Sequence, residues 1–228
     1  MAQAFTLTRR GYVAELEKPE ARLLRGLFRD VITLLQGRAD DVAPQRDDAG
    51  DTERSVDTDP FWNLVDGLSL AESDAGRAAP SDAALARLLP AAHTDEAEAA
   101  QHRALAEDAV IRAKTEDAQR ALAALQSTTV TLDEDQAVHF SRALNDVRLV
   151  LAARLGVDDP QSAAQVHAVD DWRMATDPES TMALLYNFTT WFLETLTSQM
   201  LLGLPEDGRD ETVGSEAVSY THLRAHET

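Results

Sequence analysis

The chain has 228 residues and no cysteine, with 40 Asp+Glu against 21 Lys+Arg, a formal net charge of −19. That length suits one domain, or two, with a sizeable core. The missing cysteine excludes disulfides, thiolate metal sites and any cysteine redox switch, and the charge opposes general binding to a phosphate backbone. In chain order, Met1 to Arg10 lacks the apolar run of a signal peptide. Phe5 and Leu7, then Tyr12, Ala14 and Leu16, alternate with polar residues around Arg9-Arg10-Gly11. This period of two, broken by glycine, predicts a β-hairpin. From Pro19, apolar residues recur at helical spacing from Leu23 to Leu35 and stop near Gly37.

Residues 39–58 carry seven acidic residues and two arginines with almost no large apolar side chain, which reads as a disordered acidic insertion. Asp59-Pro60 then opens a short helix with Phe61, Trp62, Leu64 and Val65 as its buried side. A second short helix is expected from Ser81 to Leu89, and a long alanine-rich one from Thr94 to about Gln126. Thr128 to Leu132 alternates and is β-branched, so it predicts a third strand on the hairpin. Asp133, with Gln136 three residues on, starts the clearest helix, ending before Gly156. Asp177-Pro178 starts the last, which runs to about Leu202. Its apolar stretch from Thr181 contains Asn187, Glu194 and Gln199, fitting a buried helix better than a membrane span. Residues 205–218 read as a disordered tail, and 219–228 as adapter-derived sequence that is not native. The expected fold is mainly α, a helical bundle spanning 1–38 and 59–204 with a small N-terminal β-hairpin or three-stranded antiparallel sheet. The expected localisation is cytoplasmic.

Two charges interrupt the apolar patterning. Arg148 falls about 40° from Leu144 on a helical wheel, inside the apolar arc. Glu194 is the only ionisable acid or base between Glu179 and Glu206. Buried charges are tolerated when paired, so Arg148 and Glu194 are expected to form a structural ion pair between the last two long helices. Arg154 is the alternative partner for Glu194. The only basic concentration is Arg9 and Arg10 at the hairpin tip with Arg22, Arg25 and Arg29 on the first helix, a candidate interaction face. A DNA-reading wing could be built from these parts, but the charge balance and the acidic segment downstream oppose it, so direct nucleic-acid contact is not expected. Glu98/His102 and His167/Asp171 have i,i+4 spacing, yet two ligands do not close a metal site. With no nucleophile motif, no phosphate-holding loop and no cofactor motif, no catalytic, metal or cofactor residue is assigned. A hydrolase using carboxylates in a helical cleft is the alternative class.

Several blocks together resemble the actinobacterial AosR-like family, a domain of unknown function encoded near the ClpS adaptor. They are Arg9-Arg10-Gly11-Tyr12, Leu23-Leu24-Arg25, Asp59-Pro60-Phe61 and Leu85 to Pro90. Ala143 to Leu149 with Arg154-Leu155-Gly156-Val157, and Tyr186 through Glu194, complete the set. The resemblance implies a non-enzymatic regulator in oxidative-stress transcription, acting through protein contacts with transcription machinery such as a sigma factor. Without cysteine, this chain departs from any thiol-based sensing in that picture.

Overall fold

The computed structural model describes residues 2–42, 76–169, 171–173 and 175–203. The acidic segment beyond residue 42, the Asp59-Pro60 helix and the C-terminal tail lie outside the described residues. Strands β1 (Thr6–Thr8), β2 (Gly11–Glu15) and β3 (Thr129–Leu132) form an antiparallel sheet in the order β1-β2-β3. Tyr12 is paired with Leu7 on one side and Leu132 on the other, which sets the register. The period of two places Tyr12, Ala14, Val130 and Leu132 in the core. Leu7, expected on the same inner face, is instead 46% exposed, because β1 is the short edge strand.

Six helices stand among the described residues: α1 (Lys18–Val42), α2 (Ala83–Leu88), α3 (Glu96–Ala124), α4 (Glu134–Arg154), α5 (Pro160–His167) and α6 (Pro178–Leu202). Their starts follow side-chain chemistry. Asp82, Asp95, Asp133, Asp159 and Asp177 each accept N–H bonds from the first turn. Asp133 with Gln136 and Asp159 with Ser162 form capping boxes. The caps of α2 and α3 are thus Asp82 and Asp95, each one residue beyond the Ser81 and Thr94 expected, since a carboxylate there reaches two amides. The first helix does not stop at Gly37 but continues into the stretch expected to be disordered. Arg38 holds that extra turn, with Nε 2.7 Å from Glu107 Oε1 and Nη2 donating to the Ala78 carbonyl at 2.6 Å.

Helix α4 is central, packed on α6, α3 and α2, while α1 lies against α3 and α4. Four phenylalanines, three on helices α1, α4 and α6 and one just before β1, meet where these helices cross the sheet. Phe140 of α4 makes edge contacts with Phe5, Phe28 and Phe192 at centroid distances of 6.0, 5.7 and 6.2 Å. Phe5 and Phe192 approach to 4.7 Å. All four are at most 2% exposed. The outer edge of β1 is hydrogen-bonded by α6, with Phe5 N donating to Thr195 Oγ1 at 3.4 Å and Leu7 N to Gln199 Oε1 at 3.0 Å. Two residues of strand and four of helix both span about 6–7 Å, so the two periodicities match along this seam. Among the described residues no helix is long and apolar enough to cross a membrane.

Candidate functional site

Helix α6 carries more apolar surface than the core can cover. One side, with Tyr186, Thr189, Phe192 and Leu196, is buried. Another side carries Leu184, Asn187, Phe188 and Trp191, successive neighbours at three- and four-residue spacing. This second side forms one wall of a groove of about 660 Å³. The start of α1 supplies Pro19, Glu20 and Leu23, the N-terminus supplies Ala2, and His167, Val169 and Trp172 follow from the end of α5. Trp172 is 53% exposed and Trp191 38% exposed. Trp191 is backed by Phe192 at 5.9 Å and flanked by Phe188 at 6.1 Å, so its indole rests on a firm base.

Two polar groups are set into these walls. Glu20 is half-buried; Oε1 accepts from Ala2 N at 2.8 Å and Oε2 from Glu17 N at 2.7 Å. Asn187 Nδ2 donates to the carbonyls of Val166 at 3.0 Å and Val169 at 2.9 Å, pinning the end of α5 to α6. Both amide hydrogens are thereby used, and the buried Oδ1 has no donor among the described residues.

A second polar cluster lies between α3 and α4, beside a cavity of about 380 Å³. Lys114 Nζ stands 2.6 Å from Asp146 Oδ1, and His139 Nδ1 pairs with Asp117 Oδ1. Arg120 Nη1 lies 3.0 Å from His139 Nε2, and Asp135 Oδ2 stands 3.5 Å from the same nitrogen. Burial pushes the Asp146 carboxyl up from the usual carboxylate range, against the pull of Lys114. Ser141 Oγ donates to the Val138 carbonyl at 2.8 Å. Carboxylates therefore converge here, but each is held by a cationic or imidazole partner, and the hydroxyl is turned to the backbone.

The expected pair between Arg148 and Glu194 is not formed. Arg148 is half-buried and donates from Nη2 to Asn145 Oδ1 at 2.9 Å, leaving Nε buried without an acceptor. Glu194 is exposed, three residues beyond Trp191 on the outer side of α6. A helix apolar on two sides reads as buried all round, and that misplaced Glu194. Arg154 binds Asp82 at 2.7 Å instead. The buried charges are elsewhere: Arg103, Glu107, Asp117 and Asp146. The basic residues fall into two sets. Arg9 and Arg10 are exposed at the hairpin turn, and β2 leads from there to its far end before α1 begins. Arg22 and Arg29 are exposed on α1, and Arg25 is half-buried with Nε donating to the Ala21 carbonyl at 3.2 Å. None of these five arginines joins an ion pair among the described residues. His93 takes Glu98 at 2.9 Å, so Glu98 and His102 do not act as a pair. Among the described residues no three metal-ligating side chains converge.

A family model described as "Domain of unknown function (DUF2017)" matches residues 2–200. No curated protein and no solved structure matches the chain.

Proposed function

We propose that this chain, which belongs to the DUF2017 family of domains of unknown function, is a non-enzymatic regulatory protein that binds another polypeptide in the groove between α1, α5 and α6. The observation that carries this reading is the pair of tryptophans, 53% and 38% exposed, on the walls of one groove. Large amphipathic rings in a concave apolar setting are the anchors on which protein contacts concentrate binding energy. Arg22, Arg25 and Arg29 of α1 and Arg9 and Arg10 of the hairpin tip, without an ion pair among the described residues, are a candidate second surface for an acidic region of the same partner. A cytoplasmic setting and a role in stress-linked transcription control, with machinery such as a sigma factor as partner, are what the AosR-like resemblance adds to the proposal. The α3–α4 cavity is the feature that favours the alternative, a carboxylate hydrolase. It gains little support, because Asp117 and Asp146 are both engaged by His139 and Lys114.

A photo-reactive phenylalanine analogue at Trp172 tests the reading, with the same analogue at Leu105 as control, since Leu105 is 84% exposed on α3. Cross-linking in cells that express the protein should give a discrete polypeptide adduct from position 172, abolished by Trp191→Ala, and none from position 105. Equal adducts at the two positions, or none at either, would overturn it.

A further inference from the structure

The groove's chemistry selects what kind of side chain enters it; this step rests on the groove being a polypeptide site. Glu20 is a fixed anion in the wall, held by two backbone N–H groups, and no cationic side chain among the described residues pairs with it. Glu194, exposed and free of any ion pair among the described residues, continues the stripe that carries Trp191. No described cation pairs with either carboxylate; Arg22 and Arg25, on the same helix as Glu20, are also without an acidic partner among the described residues, and Arg25 is turned to the Ala21 carbonyl. His167, the one described wall residue able to carry positive charge, lies with its ring 5.7 Å from that of Tyr186.

Three features of the walls ask for a cation or a donor. The carboxylate of Glu20 attracts a cation, Asn187 Oδ1 lacks a donor beneath the floor, and the indoles of Trp172 and Trp191 present negative π faces. We propose that the groove takes an arginine side chain of the partner polypeptide, its guanidinium against the exposed indoles and paired with Glu20. Arginine fits better than lysine because a planar guanidinium stacks on an aromatic face while its in-plane donors reach a carboxylate, and it is more weakly hydrated than an ammonium. The apolar remainder of the groove, including Leu23 and Leu184, accepts the methylene stem and an adjoining apolar residue.

The test uses the full chain with ¹⁵N-labelled indoles and three capped probes: acetyl-Leu-Arg-Leu-amide and its lysine and citrulline counterparts. Citrulline keeps the shape and loses the charge. The arginine probe should shift the indole resonances of Trp172 and Trp191 saturably, with affinity about tenfold above the citrulline probe, and the lysine probe should fall between. Glu20→Gln should reduce the arginine probe to the citrulline level. Should that variant misfold, since Glu20 also binds the Glu17 amide at the start of α1, Glu194→Gln keeps the charge test available and is expected to weaken arginine binding about twofold. Equal affinity for the arginine and citrulline probes overturns the proposal, as does equal affinity for arginine and lysine, or no shift with any probe. Free arginine amide binding as tightly as the tripeptide would also overturn it, in favour of a small-molecule site. Adducts at position 172 without arginine selectivity would defeat this inference alone; selectivity without adducts would defeat the partner reading instead.

Discussion

At Gly11 the backbone has φ +100°, and a Cβ there would stand 2.1 Å from the Leu132 carbonyl oxygen. Gly26 is the opposite case, a glycine inside α1 whose Cβ would meet nothing within 4 Å. Gly11→Ala should therefore destabilise by at least about 1–3 kcal/mol, whereas Gly26→Ala should stabilise by about 0.5–1 kcal/mol. Urea unfolding of the two variants beside the parent checks both signs. Glu194 belongs at this scale too. A buried pair would have made Glu194→Ala cost about 3–5 kcal/mol; its exposure predicts a change within about 0.5 kcal/mol, measurable in the same experiment.

Among the elements, the junction of α1 with α3 rests on buried charge. Glu107 is 4% exposed and receives Arg38 at 2.7 Å and Arg77 at 3.4 Å, while Arg103 Nε donates to the Arg77 carbonyl at 2.8 Å. Glu107→Ala removes the carboxylate partner of Arg38, while Arg77 keeps Asp108 at 2.8 Å, and should cost about 3 kcal/mol, with amide exchange accelerated first in the last turns of α1. The helix starts govern acid behaviour. Asp177 is held below the usual carboxylate range by the backbone and hydroxyl of Ser180, and Asp159 by those of Ser162. A carboxyl depressed in the fold stabilises it above the unfolded value of about 3.9 and loses that contribution as pH falls through the folded value. Asp146, pushed up by burial, works in the other direction: ionising it as pH rises weakens the fold. The deficit of Asp177→Asn in Tm against the parent should thus be full at neutral pH and shrink steadily below about pH 4.

These elements differ in how far the sequence revealed them. Capping chemistry made α4 and α6 legible, and the alternation of Tyr12, Ala14, Val130 and Leu132 did the same for the sheet. The Asp159-Pro160 pair carries the same start signal as Asp177-Pro178, yet α5 was not expected, because an eight-residue helix with no buried residue has little apolar period. In α3, Arg103 and Glu107 occupy the four-residue stripe of Ala99 and Ile111. That spacing was visible, but charges among alanines read as a solvated face. Of the groove, Leu23, Asn187, Phe188 and Trp191 stood inside recognised blocks. Trp172 belongs to no helix or strand, and the opposing wall comes from α1, more than a hundred residues away in the chain, so the groove depends on tertiary packing that no local pattern encodes.

For the molecule as a whole, the beginning and end of the described chain are joined: Phe5 meets Phe192, and β1 lies along α6. The side chains of Thr195 and Gln199 occupy two outward amides, of Phe5 just before β1 and of Leu7 within it, that an incoming strand from another molecule would need to start pairing. The helix thus acts as a chaperone in cis for its own sheet, next to an apolar residue, Leu7, that would otherwise invite self-association. Gln199→Ala should leave Tm nearly unchanged but hasten aggregation during incubation below Tm, as followed by light scattering. A clouding rate equal to the parent's would assign that protection to another part of the surface. The groove and the guard share a single rod, so the face proposed to receive a foreign chain and the face that covers the sheet's edge are inherited together.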